Sequence, residues 1–167
     1  MASILPPVPR LVFSILEPLS ILGGVVGAVF DPKSFVAAQL PATSQDMASY
    51  ALTPTNRVLV LQLGNMFGLV GMIGVGLLYA TNEPKVIWNY QIACAIGDLG
   101  HVAAIYSTMG HTDFVDVAKW NVVVWASVGF TAVLFTFRVL YLAGLLGEDR
   151  PVQDAKGKLR RNVRKDQ

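Results

Sequence analysis

The chain has 167 residues, of which 53% are hydrophobic and 14% charged, against roughly 25% charged in an ordinary soluble domain. Mean hydropathy is +0.51. Formal net charge is +2, and it belongs to one end: Lys156, Lys158, Arg160, Arg161, Arg164 and Lys165 stand in the last dozen positions. A basic tail after a long apolar segment marks the cytosolic face of a membrane and not a nucleic-acid partner. One cysteine, Cys94, excludes a disulfide framework and a cysteine zinc cluster within the chain.

Four apolar runs follow in chain order, at about 11–30, 58–80, 86–109 and 120–146. Each is long enough to cross roughly 30 Å of hydrocarbon as a helix. The expected fold is an all-α integral membrane four-helix bundle over 1–150, followed by a basic, disordered cytosolic tail at 151–167. Pro-rich MASILPPVPR lies before the first run and cannot be a helix interior. Glu17-Pro18 interrupts the first run, so it reads as a retained helix and not a cleaved signal peptide. The tail places the C-terminus in the cytosol, and four crossings place the N-terminus there too. The 31–57 loop, with a short helix near 35–40, is expected to cap the opposite mouth of the bundle. Thr81 to Lys85 reads as the turn of a helical hairpin. Trp88, Trp120 and Tyr79 or Tyr141 sit at run ends, where interfacial aromatics belong.

Small residues recur at four-residue spacing: Gly23–Gly27, Gly64–Gly68, Ala93–Gly97 and Gly100–Ala104. Such pairs let helices approach closely, within one chain or in a homo-oligomer.

Polar groups inside apolar runs are the candidates for chemistry. Gln91, Cys94, Asp98 and His101 share one face of the third run, because residues three and four apart are helical neighbours. Gln62 and Asn65 lie in the second run, Glu17 in the first, and Arg138 in the fourth. Depths at about 1.5 Å per residue sort them into two layers. Glu17 and Arg138 form a structural ion pair toward the cytosol. Gln62, Asn65, Asp98 and His101 form a cluster toward the lumen, under the loop. Burial favours a neutral carboxyl unless a cation offsets it, and a group so poised can give and retake a proton. Asp98 and His101 are therefore the candidate acid–base pair, with Gln62, Asn65, Gln91 and Tyr106 as candidate substrate-binding groups. His111, Asp113 and Asp116 read as a solvated face. No metal set, redox motif or nucleotide loop is present, so no cofactor is expected.

Leu5-Pro6-Pro7-Val8-Pro9-Arg10-Leu11-Val12-Phe13, Glu17-Pro18-Leu19-Ser20 with Gly23 and Gly24, Asp31-Pro32-Lys33-Ser34-Phe35, Leu61-Gln62-Leu63-Gly64-Asn65 and Gly97-Asp98-Leu99-Gly100-His101 together resemble a group of small fungal four-helix membrane proteins. These are similar in style to small membrane enzymes that open epoxides or cyclise polyketides and terpenoids with intramembrane carboxylates. The resemblance implies a cofactor-independent hydrolase, cyclase or isomerase of the endoplasmic reticulum acting on a hydrophobic small molecule. The alternative is a non-catalytic multi-pass protein that binds lipid or scaffolds a partner.

Overall fold

A computed structural model describes residues 4–41 and 48–150, with backbone alone at 152–153 and 159–160. Four helices are long and apolar enough to cross a membrane: α1 Pro7–Phe30, α3 Pro54–Ala80, α4 Pro84–Met109 and α6 Val122–Leu142. Between them lie α2 Pro32–Ala37, α5 His111–Val115 and a single 3₁₀ turn, Val117–Lys119. Val152–Gln153 and Leu159–Arg160 pair as a two-residue antiparallel ladder in the tail. The rest of the tail and the middle of the 31–57 loop fall outside the described residues.

Proline sets the helix starts. Pro7, Pro32, Pro54 and Pro84 each open a helix, at a position where the missing N–H has no intrahelical acceptor and the fixed φ is already helical. This corrects the expectation for the N-terminal segment: the first helix begins at Pro7, four residues before the apolar run. Pro9 falls within the same first turn, where its lost donor costs little. The hairpin break shrinks to Thr81–Glu83 for the same reason, since Pro84 and Lys85 are helical. The short helix after α1 likewise runs from Pro32 and not from Phe35, with the Asp31 carboxylate accepting the Ser34 N–H at 3.1 Å as its N-cap.

The helices alternate in direction, so α1 and α4 start at the end that carries both termini. α1 packs along α3, and α4 along α6. The first half of α1 also touches α6 and joins the two pairs. Small residues set the α1–α3 distance. A Cβ at Gly64 would stand 3.0 Å from Ala28 Cβ and 3.3 Å from Val29 Cγ2, and one at Gly71 would stand 3.2 Å from Ile21 Cγ2. Gly97 and Gly100 of α4, by contrast, have nothing within 4 Å. That small-residue face is therefore not used within the described chain.

The terminal end is closed by an apolar plug. Ile4 and Leu5 pack with Val12, Phe13, Leu78, Ile87, Leu134 and Tyr141. The Arg150 N–H donates to the Ile4 carbonyl at 2.7 Å, and Tyr141 donates to Asp149 at 3.0 Å. At the other end, Asn121 Nδ2 donates to the carbonyls of Ala38 and Leu40 at 3.1 and 3.0 Å. The segment after α2 is thereby tied across to the start of α6.

Replacing Gly64 with Leu drives a side chain into Ala28 and Val29 and should lower stability by about 1–3 kcal/mol. Gly23→Ala, which meets open space, should leave the thermal midpoint in detergent unchanged or slightly raised. Two bonds from Ser34 hold Asp31 below the usual carboxylate range. A lowered carboxylate stabilises wherever it is ionised, so the α2 cap should be complete above about pH 4. It should be lost only as pH falls through the lowered value, read from the Ser34 amide resonance.

Candidate functional site

Arg138 is the centre of the interior. It lies on the last two turns of α6 and is 1% exposed. Nη2 donates to Glu17 Oε1 of α1 at 2.5 Å, Nη1 to Gln91 Oε1 of α4 at 2.6 Å, and Nε to Asp98 Oδ2 of α4 at 2.8 Å. The Phe13 ring lies 5.1 Å from the guanidinium carbon, within cation–π range. One side chain thus holds three helices. A guanidinium suits this, because its rigid fork aims donors in several directions at once.

The expected Glu17–Arg138 ion pair is present, but the division into two layers is corrected. Asp98 belongs to the Arg138 cluster. Depths counted along helix axes leave out side-chain direction. Cα–Cβ bonds tilt toward a helix N-terminus, and α4 and α6 run antiparallel. Asp98 therefore leans toward the terminal end and Arg138 away from it, and the long arginine stem closes the remaining gap.

His101, one turn beyond Asp98, bonds elsewhere: its Nε2 lies 2.8 Å from Ser127 Oγ. Asp98 is oriented by Arg138 and not by His101. Gln62 and Asn65 do not join the site at all. Both are exposed on the outer face of α3, because Val60, Gly64, Gly74 and Leu78 occupy its buried side. Tyr106 also lies away from the site that sequence assigns it. It stands at the loop end, with its ring 5.1 Å from Phe114 and its hydroxyl 3.4 Å from His111 Nδ1. Phe114, Trp120 and Trp125 continue that ladder edge-to-face at 5.6 and 5.0 Å. Asp113 and Asp116 pair with Lys119 at 4.0 and 3.0 Å on the exposed surface. Among the described residues no group of three or more His, Cys, Asp or Glu is placed to hold a metal ion.

Residues with no signal in the sequence pattern complete the layer. Tyr90 stands one turn before Cys94 on α4, and its hydroxyl presses on Gly74 of α3, where any Cβ would collide. Ser14 stands one turn before Glu17 on the buried face of α1. Its carbonyl loses its usual helical donor because Pro18, four residues on, has no N–H. Tyr79 Oη lies 3.4 Å from that carbonyl and supplies a donor. The helix is locally widened to a π turn over Val12–Leu16, and α6 is widened likewise over Trp125–Gly129, around Ser127. Such widenings recur at functional sites.

Residues 2–148 match the family model of a domain of unknown function, DUF7704. The chain belongs to the DUF7704 family. No curated protein and no solved structure matches it.

Three buried polar atoms of this DUF7704 chain, Ser14 Oγ, Glu17 Oε2 and Gln91 Nε2, have no hydrogen-bond partner among the described residues. Unpaired buried polar atoms are few in folded proteins and call for a reason. Of the three groups bonded to Arg138, Asp98 is the least enclosed, its side chain 14% exposed. The apolar plug seals the layer from the terminal end, so Asp98 is approached from the helix flanks or from the loop end. Two concavities at the loop end, of about 490 and 250 Å³, share Phe35 but include none of the Arg138 cluster.

Arg138→Met strands two carboxyl groups and should cost about 3–5 kcal/mol. Arg138→Lys should recover little of this, because one ammonium cannot reach Glu17, Gln91 and Asp98 together. Thermal unfolding of the purified variants in detergent measures both effects.

Proposed function

We propose that this protein spans a membrane four times and that its polar layer is the acid–base site of a cofactor-independent enzyme. Its substrate is hydrophobic, and the reaction is epoxide opening, cyclisation or isomerisation. The outer surface supports insertion: Leu59, Met72 and Ile96 are 62%, 69% and 66% exposed on the flanks of α3 and α4, an apolar exposure that water does not tolerate over large patches. The basic tail favours cytosolic termini, and the endoplasmic reticulum is the expected membrane.

What carries the catalytic assignment is an excess of carboxyl groups. Glu17 and Asp98 share one guanidinium. A clasp between helices needs one carboxylate, and a buried cluster with two is neutral only if it also holds a proton. Asp98 is the member placed to give that proton up, since it is the more open of the two, its side chain 14% exposed against 8% for Glu17. In epoxide opening, Asp98 protonates the ring oxygen while water or a substrate hydroxyl adds to carbon and the C–O bond breaks. The proton shed by the nucleophile returns to the Asp98 carboxylate, directly or through His101. Arg138 holds that carboxylate in place throughout. The resemblance to small fungal membrane proteins favours polyketide or terpenoid substrates.

The three bonds that Arg138 makes to α1 and α4 favour a second reading, a non-catalytic bundle in which the layer only fastens helices. Asp98→Asn separates the two. The amide oxygen still accepts from Arg138 Nε, so the clasp survives, while the transferable proton is gone. We expect cells carrying Asp98→Asn to accumulate the same hydrophobic precursor as cells lacking the gene, with a thermal midpoint near wild type. Full product formation by Asp98→Asn would sink the catalytic reading.

A further inference from the structure

Gln62 and Asn65 stand apart from the site to which their depth assigns them, and they mark something else. Both lie inside the apolar stretch of α3, roughly 6 and 10 Å past Val58, where the apolar run begins, at about 1.5 Å per residue. Both are exposed. Acyl chains offer an amide no hydrogen bond, and amides inside membrane helices are satisfied by other helices.

The residues around them form a pattern that the fold does not use. Leu59, Gln62, Met66, Leu69, Ile73 and Gly76 recur at alternating steps of three and four, all on the exposed side of α3. Leu59, Met66, Leu69 and Ile73 are 62%, 51%, 43% and 51% exposed, and Gly76 has nothing within 4 Å. This is the seam of a left-handed helix pair, with one polar residue at a core position setting the register. It lies opposite the Gly64–Gly71 ridge that packs on α1, so both faces can be occupied at once.

We propose that this face is a homodimer interface, in which α3 pairs with α3 of a second copy and Gln62 pairs with its own counterpart. This rests on the membrane reading above. Copies inserted the same way up are related by a twofold axis along the membrane normal, which brings equal depths together. Gln62 then necessarily meets Gln62. A primary amide carries both donor and acceptor, so it is complementary to itself. A different protein would need its own polar group at that one depth.

The test uses full-length chain in native membranes, with Cys94→Ala as background. Met66→Cys and Ile73→Cys, introduced singly, should form disulfide-linked dimers on mild oxidation. Val133→Cys, exposed on α6, should not. In detergent, Gln62→Leu with Asn65→Leu should raise the dimer dissociation constant about three- to tenfold by light scattering, with the monomer still folded. Carbonate release of the protein from membranes would sink the membrane reading and this one with it. Carbonate-resistant protein that yields no cross-link at 66 or 73, or that links there to a different protein, would overturn the pairing alone.

Discussion

A single buried guanidinium governs the architecture. The α1–α3 and α4–α6 pairs each have their own packed seam, and Arg138 joins them at one depth by holding Glu17, Gln91 and Asp98. A charge in low dielectric is tolerable only when its partners are close and its donors filled. Placement of Arg138 therefore fixes the rotation of α1 and α4 about their own axes, and with them which residues face inward. Phe13 beneath the guanidinium and the plug of Ile4, Leu5 and Tyr141 keep water from loosening that arrangement.

Backbone irregularities serve the same layer. Pro18 takes the usual donor from the Ser14 carbonyl in the turn before Glu17, and α1 answers with a π turn over Val12–Leu16 and an outside donor from Tyr79. Ser127 sits in the corresponding widened stretch of α6, where it meets His101. Regular helices would present each of these side chains about one position around the axis from where it is used. The bundle thus departs from ideal geometry where its polar groups gather and stays regular in the glycine-lined seam between α1 and α3.

All four long helices are legible in the sequence, because apolar length is a signal that survives without tertiary information. Their ends are less so: proline reads as a breaker, although at Pro7 and Pro84 it begins the helix. Glu17 with Arg138 is visible because each is the lone charge of its run. The union of Asp98 with Arg138 is not, since depth along an axis carries no record of side-chain lean or reach. Gln62 and Asn65 depart for a different reason. Depth alone matches them to the cluster, and rotation about the helix axis turns them away from it. The Gly64, Gly68 and Gly71 ridge already contains that rotation.

The separation of Glu17 and Arg138 by 121 positions has a consequence for biosynthesis. If the four helices span a membrane, as proposed, and enter it in the order of translation, α1 arrives with an acidic group whose counterion is not yet made. The insertion machinery must shelter that helix, or leave it at the interface, while α3 and α4 follow. Delivery of α6 is then the committing event, because it alone carries the charge that lets the others settle. A chain interrupted before α6 would present quality control with an orphan carboxylate, a ready mark for removal.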